Sequence, residues 1–263
     1  MVDQLLRLDG LHAIVGGATG GIGRAIAKKF SNAGATLLLI SRSEDKLKQL
    51  ILELNNDKHR YVVANYEYPD KLEKIMKNEF EVSKINYSIL VNNTGGPPSG
   101  KVLNANKEDF LKAINMHLIC NQIMAKLVIP QMIKLGDGRI INIISTSVRQ
   151  PIDNLGVSNS TRAAVANWAK TLSNEIGEYG VKVNNILPGA INTQRLEEII
   201  ENKANKLEKT YDEIESQMIK SIPLGRIGDP DEIANGALFL ASKMSNYVSG
   251  INLIIDGGRT RVH

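Results

Sequence analysis

A glycine-rich turn between an apolar segment and an amphipathic segment constrains this chain most strongly. Residues 11–15 are apolar and rich in branched side chains, which predicts a short buried strand. Glycines follow at positions 16, 17, 20, 21 and 23, and Ile22, Ile26 and Phe30 then recur at helical spacing. Glycines let a backbone approach a pyrophosphate, and the free N–H groups that begin a helix attract an anion. The stretch predicts a phosphate-binding βα unit, although such a turn can also join a strand to a helix for packing reasons alone.

Composition narrows the class of protein. The chain has 263 residues, 43% hydrophobic and 23% charged, which is typical of a soluble globular protein. The net charge is +4, but Lys and Arg are interspersed with Asp and Glu rather than clustered. Only the basic isoelectric point therefore favours nucleic-acid binding. We therefore expect no nucleic-acid partner.

Cysteine, histidine and hydropathy patterns carry three further expectations. Cys120 is the single cysteine, which excludes an intrachain disulfide and fits a reducing compartment. The N-terminal residues are not a long apolar stretch, and we expect a cytoplasmic protein with no membrane partner. The four histidines have no metal-ligand spacing, so no metal site is expected; they are His12, His59, His117 and His263.

Short apolar segments alternate with helical patterns along the whole chain. The strand-like segments lie at 11–15, 35–41, 61–64, 88–91, 138–145, 181–187 and 251–255. Helical patterns lie between them, among them 70–84, 107–135, 159–177, 194–220 and 231–241. This alternation predicts an α/β fold, a doubly wound parallel sheet in a single domain over residues 1–263, with ligands beyond the carboxyl ends of the strands.

Several segments after the strands resemble the short-chain dehydrogenase/reductase family. Gly17, Gly21 and Gly23 follow its glycine spacing, with Gly16 in place of the usual threonine. NNTG at 92–95 is similar to its NNAG segment, and PGAINT at 188–193 is similar to its PGxIxT segment. The C-terminal residues 222–258 also look like this family, and the resemblance covers nearly the whole chain. Among its members, the chain resembles 3-oxoacyl carrier-protein reductases.

The resemblance implies a set of cofactor-binding residues. They are Gly17, Thr19, Gly21, Ile22, Gly23, Ser41, Arg42, Asn65, Tyr66, Asn93, Thr94, Gly95, Arg162, Pro188, Gly189, Ile191 and Thr193. Ser41 and Arg42 stand where members that prefer NAD carry an acid, and a guanidinium can bind the 2′-phosphate of NADP. NADP is therefore the expected cofactor and NAD the alternative. Gly20 stands where many NADP-using members have a second basic residue, and Arg42 can also be read as a solvated charge.

The same resemblance implies a catalytic tyrosine, a lysine four residues later, a serine thirteen residues before the tyrosine, and an asparagine on an earlier helix. Asn115 and Ser145 match the asparagine and the serine. The tyrosine and lysine positions hold Ser158 and Arg162. None of the seven tyrosines has a lysine four residues later, so the chain contains no YxxxK motif.

Ser158 and Arg162 lie four residues apart and should share one face of a helix. A serine hydroxyl is a far weaker acid than a phenol, and a guanidinium with a pKa above about 12 does not release a proton. Arg162 can still bind ribose hydroxyls or stabilise an alkoxide. Substitute acids could come from Arg149, Asp153 or Tyr211, which the sequence does not place.

Two functions remain open from the sequence. The first is an NADP-preferring oxidoreductase that interconverts a carbonyl and an alcohol, with Ser145, Asn115, Ser158 and Arg162 as its catalytic set. The second is a catalytically silent NADP(H)-binding sensor or scaffold. Residues 194–222 correspond to the family's substrate-covering segment, and the resemblance also implies a homo-oligomer, a dimer or a tetramer.

Overall fold

The computed structural model describes residues 2–262, and its side chains from Gln4 to Val262, so His263 lies outside the described residues. The seven strands are β1 His12–Gly16, β2 Thr36–Ser41, β3 Arg60–Val63, β4 Ile89–Asn92, β5 Gly138–Ile143, β6 Val181–Pro188 and β7 Asn252–Ile255. The α-helices are α1 Val2–Leu5, α2 Gly21–Asn32, α3 Glu44–Leu52, α4 Pro69–Ser83, α5 Lys107–Ile114, α6 Cys120–Leu135, α7 Gly156–Ile176, α8 Gln194–Leu207, α9 Tyr211–Lys220 and α10 Pro230–Ala241.

All seven strands pair in parallel in the order β3-β2-β1-β4-β5-β6-β7. Two cores enclose the sheet. One joins the sheet to α2 and α10 through residues such as Val15, Ile26 and Leu240, and the other joins it to α4, α6 and α7 through residues such as Leu90 and Val128. The predicted doubly wound α/β fold is confirmed, and the strand order reverses between β1 and β4, which opens a crevice there.

Three predicted helices have different boundaries in the structure. The pattern at 107–135 is interrupted by a π-helical turn, Asn115–Ile119, between α5 and α6. The helix predicted at 159–177 begins at Gly156, so Ser158 lies in its first turn. The segment 194–220 contains two helices, because Glu208 takes a left-handed conformation with φ 52° and Thr210 begins the next helix with a capping box.

A ladder of four asparagine side chains crosses the carboxyl half of the sheet. Asn92, Asn142, Asn185 and Asn252 occupy matching positions on β4, β5, β6 and β7. Each side-chain amide donates to the carbonyl oxygen of the next, over 2.9, 2.9 and 2.8 Å. The three donating amides are therefore satisfied within the ladder, and Asn92 Oδ1, at its start, has no partner among the described residues.

One helical stretch, Lys107–Leu135, is long and apolar enough to cross a membrane by length and composition alone, which the sequence interpretation had overlooked. Its apolar residues Met124, Val128 and Met132 are fully buried against the sheet. The side of the helix that packs on the sheet is therefore part of the core, and 33% of its most apolar window is buried.

Replacing Asn142 with Leu should destabilise the protein more than the same change at Asn252. Asn142 is fully buried, so its loss leaves the amide of Asn92 and the carbonyl oxygen of Asn185 without partners. We expect the free energy of unfolding to fall by about 2–4 kcal/mol, since each unpaired buried group costs about 1–3 kcal/mol.

The matched control is Asn252→Leu, because Asn252 is half-buried at the end of the ladder and water can replace it. Urea unfolding measures both. Equal losses at the two positions would show that the ladder adds nothing beyond the local burial of its members.

Candidate active site

The glycine turn after β1 is held against the loop after β4. The Asn93 side-chain amide donates to the carbonyl oxygen of Gly16 over 3.1 Å and approaches that of Gly17 at 3.5 Å. Gly17 has φ +56°, and a Cβ there would lie 2.7 Å from the carbonyl oxygen of Asn93. A Cβ on Gly23 would overlap the carbonyl oxygen of Gly17. We call this turn, Gly16 to Gly23, the glycine cradle. Side chains are excluded at Gly17 and Gly23, which fits the close approach of a dinucleotide phosphate to the backbone.

The cradle meets the segment after β6. A Cβ added to Gly21 would lie 2.5 Å from the methyl carbon of Thr193, so the glycine turn and the PGAINT segment at 188–193 are neighbours. Pro188 ends β6, and the Gly189 N–H donates to the carbonyl oxygen of Ile255 over 2.9 Å. Thr193 begins α8, where its hydroxyl donates to the carbonyl oxygen of Ile191 over 3.2 Å. Ile22 completes the group, half-buried in the first turn of α2.

The predicted adenosine end lies between β2 and β3. The hydroxyls of Thr19 and Ser41 are hydrogen-bonded at 2.6 Å, which ties the glycine turn to the end of β2. Beside them the Arg42 side chain is exposed and lies 3.9 Å from the Glu67 carboxylate. Asn65 is half-buried and its side-chain oxygen accepts the Glu67 N–H over 2.9 Å.

The prediction that the Tyr66 side chain binds the cofactor needs a correction. Its side chain is buried in the core, and its hydroxyl lies beneath Gly16, where a Cβ on that glycine would be 2.6 Å away. Burial raises the pKa of Tyr66. The ring therefore supports the glycine turn from below, and only the backbone at this position is left for a nucleotide.

The predicted catalytic residues lie on three elements at the carboxyl edge. Ser145 follows β5, and its hydroxyl oxygen accepts the Ser147 N–H over 3.1 Å, which leaves the hydroxyl hydrogen free to donate. Asn115 begins the π-helical turn, and its carbonyl oxygen accepts the Cys120 N–H. Ser158 and Arg162 lie on α7, one half-buried and the other 8% exposed.

Arg162 points to the end of β5 and has few partners. Its Nη1 donates to the carbonyl oxygen of Ile143 over 2.9 Å, and its Nε has no hydrogen-bond partner among the described residues. Burial, and secondarily the charge of Arg195, lowers the pKa of Arg162 to about 10. This value is below the pKa above about 12 that the sequence suggested, but the side chain stays protonated at neutral pH.

Two further residues lie near Arg162: His117, and Arg195, which the sequence analysis did not single out. His117 is buried, its Nδ1 is 2.7 Å from the Thr94 hydroxyl, and its Nε2 has no partner among the described residues. Burial, followed by the charge of Arg162, lowers the pKa of His117 well below its usual value, so the ring is neutral. Arg195, in α8, donates to the carbonyl oxygen of Pro97 over 2.5 Å across the cleft. Its position two residues after Thr193, in the segment expected to bind the cofactor, is the sequence signal by which Arg195 could have been identified.

The three substitute acids considered from the sequence are not brought to one place. Arg149 and Asp153 are exposed on the connection between β5 and α7. Tyr211 begins α9 and packs on the apolar cluster beneath α8. Partial burial, and then the charge of Glu215, raises the pKa of Tyr211, which makes it a weaker acid.

Gly95, one of the predicted cofactor-binding residues, is exposed on the loop between Thr94 and Pro97.

Replacing Gly23 with Ala should weaken dinucleotide binding far more than replacing Gly20. A Cβ at Gly23 overlaps the Gly17 carbonyl oxygen and distorts the cradle, whereas a Cβ at Gly20 meets its nearest atom at 3.6 Å. Overpacking typically costs about 1–3 kcal/mol, so we expect about a 10- to 100-fold increase in the Kd for NADPH for Gly23→Ala. Fluorescence titration measures it, with Gly20→Ala as the control. Equal effects would mean that backbone approach at position 23 is not required.

His117 should make the protein less stable in mild acid. An unfolded His117 binds a proton below its usual pKa near 6.5, but the folded, buried ring does not. The unfolded state therefore binds more protons, and stability falls as the pH drops below about 6.5, with a slope of at most about 1.4 kcal/mol per pH unit. The free energy of unfolding between pH 7.5 and 5.5 should fall less in His117→Gln. His12 and His59 remain in both proteins, so identical pH slopes would refute this role.

The comparisons with known proteins agree with this geometry. The family model described as enoyl-(acyl carrier protein) reductase matches residues 17–260. The 7alpha-hydroxysteroid dehydrogenase of Escherichia coli (strain K12) is 33% identical over 254 residues, 96% of this chain and 95% of that protein. The 3-oxoacyl-[acyl-carrier-protein] reductase FabG of Rickettsia bellii is 32% identical over 260 residues, 98% of this chain and all of that one.

Solved structures extend the likeness to the whole fold. L-sorbose reductase from Gluconobacter frateurii, complexed with NADPH and L-sorbose, superimposes with a TM-score of 0.91 at 26% identity, over 98% of this chain and 100% of that one. YwfH, an NADPH-dependent reductase involved in bacilysin biosynthesis, superimposes with a TM-score of 0.89 at 26% identity, over 96% and 99% of the two chains. The glycine cradle, the strand order and these matches identify the chain as a member of the short-chain dehydrogenase/reductase family.

Proposed function

We propose that this protein is an NADP(H)-preferring oxidoreductase that interconverts a carbonyl and an alcohol without the family's tyrosine and lysine. The observation that carries the proposal is the position of Arg162. A protonated guanidinium is held at the end of β5, the strand that Ser145 follows, on the edge of the sheet that also carries the glycine cradle. Positive charge at this place favours a developing alkoxide.

In this proposal the protein's own residues have separate roles in the reaction. NADPH, when bound in the cradle, supplies the hydride. The free Ser145 hydroxyl hydrogen can donate to the substrate oxygen, and Arg162 stabilises the negative charge that forms there. Asn115 begins the π-helical turn, and we assign its side chain the support of bound water. Ser158 is a half-buried polar neighbour one helical turn before Arg162.

Proton delivery to the substrate oxygen is the step for which this site has no good acid. A serine hydroxyl is a poor acid, and Arg162, with a pKa of about 10, remains protonated at neutral pH. The loss of a positioned acid typically costs about 10²- to 10⁴-fold in rate. We therefore expect slow turnover, with the final proton taken from water.

The test is NADPH oxidation with a panel of 3-oxoacyl and simple ketone substrates, compared between the natural protein and Ser158→Tyr/Arg162→Lys. Turnover by the natural protein that the double change slows would support the proposal. Activity of the double variant alone would favour the second candidate, a silent NADP(H)-binding sensor or scaffold with an intact cofactor site. An NADPH Kd measured beside the rates separates a missing substrate from a missing cofactor site.

The expected preference for NADP rests on the Thr19 and Ser41 hydroxyls and the exposed Arg42 guanidinium. Replacing Arg42 with Ala should raise the Kd for NADPH about 10-fold and leave that for NADH unchanged, because a charge-assisted hydrogen bond contributes about 1.5–3 kcal/mol. Lys46→Ala is the control, because Lys46 is an exposed cation in α3, the helix that begins two residues after Arg42. An equal effect on both cofactors would contradict a 2′-phosphate contact.

We further propose that residues 194–222 cover the substrate and that the protein is a cytoplasmic dimer or tetramer. Arg195 already links α8 to Pro97 across the cleft, which supports the covering role. On the outward side of α6 and α7, Trp168 Nε1 donates to Gln122 Oε1 over 2.7 Å, which gives these two helices one continuous surface. Light scattering on the purified protein tests the oligomer.

A further inference from the structure

A carboxylate lies at the predicted adenosine end of the cofactor site, next to the arginine expected to bind the 2′-phosphate of NADP. Glu67 follows β3, and its side chain is 25% exposed. Its Oε1 is 3.9 Å from Nη1 of Arg42 and 3.0 Å from Nζ of Lys112, so two cations face one carboxylate oxygen. No other ion pair among the described residues includes Arg42. The acid that Arg42 faces in the protein is therefore Glu67.

The two contacts of this carboxylate differ in strength. The Arg42 pair is too long for a hydrogen bond and the arginine side chain is 71% exposed, so solvent screens the pair and it is weak. Lys112, from α5, lies within hydrogen-bond distance of the same oxygen. The backbone N–H of Glu67 donates to Oδ1 of Asn65 over 2.9 Å. Lys112 and the backbone therefore hold the carboxylate in place, while Arg42 is free to turn to a ligand.

We infer that Glu67 is a specificity-determining residue that competes with the 2′-phosphate of NADPH for Arg42. This inference rests on the proposed function, because it concerns the choice of cofactor at the same site. In the empty protein, and with NADH bound, Arg42 pairs with Glu67. When NADPH binds, Arg42 leaves that carboxylate for the phosphate, and the energy of the lost pair is subtracted from the binding energy. Glu67 thus weakens NADPH binding, leaves NADH binding unchanged, and narrows the preference between them.

The charge of Glu67 can be removed without changing the rest of the cofactor site. Among the described residues its side chain makes no hydrogen bond to the glycine cradle or to the paired hydroxyls of Thr19 and Ser41. Glutamine has the same length, and the backbone bond to Asn65 does not depend on the side chain. Glu67→Gln therefore isolates the electrostatic competition.

The experiment measures the Kd for NADPH and for NADH by fluorescence titration of the full-length protein and of Glu67→Gln. Glu67→Gln should lower the Kd for NADPH about three- to fivefold, as expected for the loss of a competing surface ion pair. The Kd for NADH should stay within about 1.5-fold. The gain for NADPH should be smaller at about 0.5 M salt than at about 0.05 M, because salt screens the pair between Glu67 and Arg42.

Two further variants separate competition from other effects of the charge. In an Arg42→Ala background, Glu67→Gln should improve NADPH binding by less than about 1.5-fold, because the carboxylate then has no arginine to compete for. Glu81→Gln removes the same charge from an exposed position near the end of α4 and should leave both Kd values unchanged. Thermal unfolding of each variant without cofactor shows whether it is folded.

Three results would overturn the role of Glu67. Equal changes for NADPH and NADH in Glu67→Gln would assign the carboxylate to a part that both cofactors share. A gain that persists in full in the Arg42→Ala background would show that Glu67 acts on the phosphate without Arg42. An unchanged or raised Kd for NADPH in Glu67→Gln would exclude competition and leave the proposed function standing. Failure of the natural protein to bind either cofactor would instead refute the proposed function itself.

Discussion

The contact between Asn93 and the glycine turn is the constraint on which the cofactor half depends. The Asn93 amide reaches the carbonyl oxygens of Gly16 and Gly17 at the point where the strand order reverses. Gly17 holds φ +56° there, and the absence of a side chain on Gly23 lets α2 begin against it. Because the turn is supported by Tyr66 below and Thr193 across the cleft, its N–H groups are positioned by the sheet rather than by the turn alone.

Beside this cradle, the catalytic edge has lost a phenolic acid and kept a positive charge. The family's phenol and ammonium positions carry a small hydroxyl and a larger guanidinium on the same face of α7. A guanidinium is more weakly hydrated than an ammonium and tolerates burial better, so Arg162 can remain protonated where it is almost fully enclosed. The site therefore keeps a group that can bind negative charge, while the phenol that would deliver a proton is absent from the family's position.

The π-helical turn and the asparagine ladder show how polar groups are accommodated near this edge. The turn at Asn115–Ile119 directs His117 inward to Thr94, and the ladder from Asn92 to Asn252 lies one layer beneath the site. The side-chain amides of Asn92, Asn142 and Asn185 each donate to the next oxygen of the ladder, while Asn92 Oδ1, Arg162 Nε and His117 Nε2 are buried without a partner among the described residues.

The sequence by itself determined the doubly wound fold, the family and the absence of the YxxxK motif, because strand periodicity, glycine spacing and residue identity are local properties of a chain. Through the family pattern, it also predicted that Asn115, Ser145 and Arg162 belong to one site. Only the tertiary structure decided that Tyr66 is a buried support, that His117 faces Thr94, and that Arg195 bridges to Pro97. These facts depend on contacts between residues about 20 to 100 positions apart, and on burial, which lowers the pKa of Arg162.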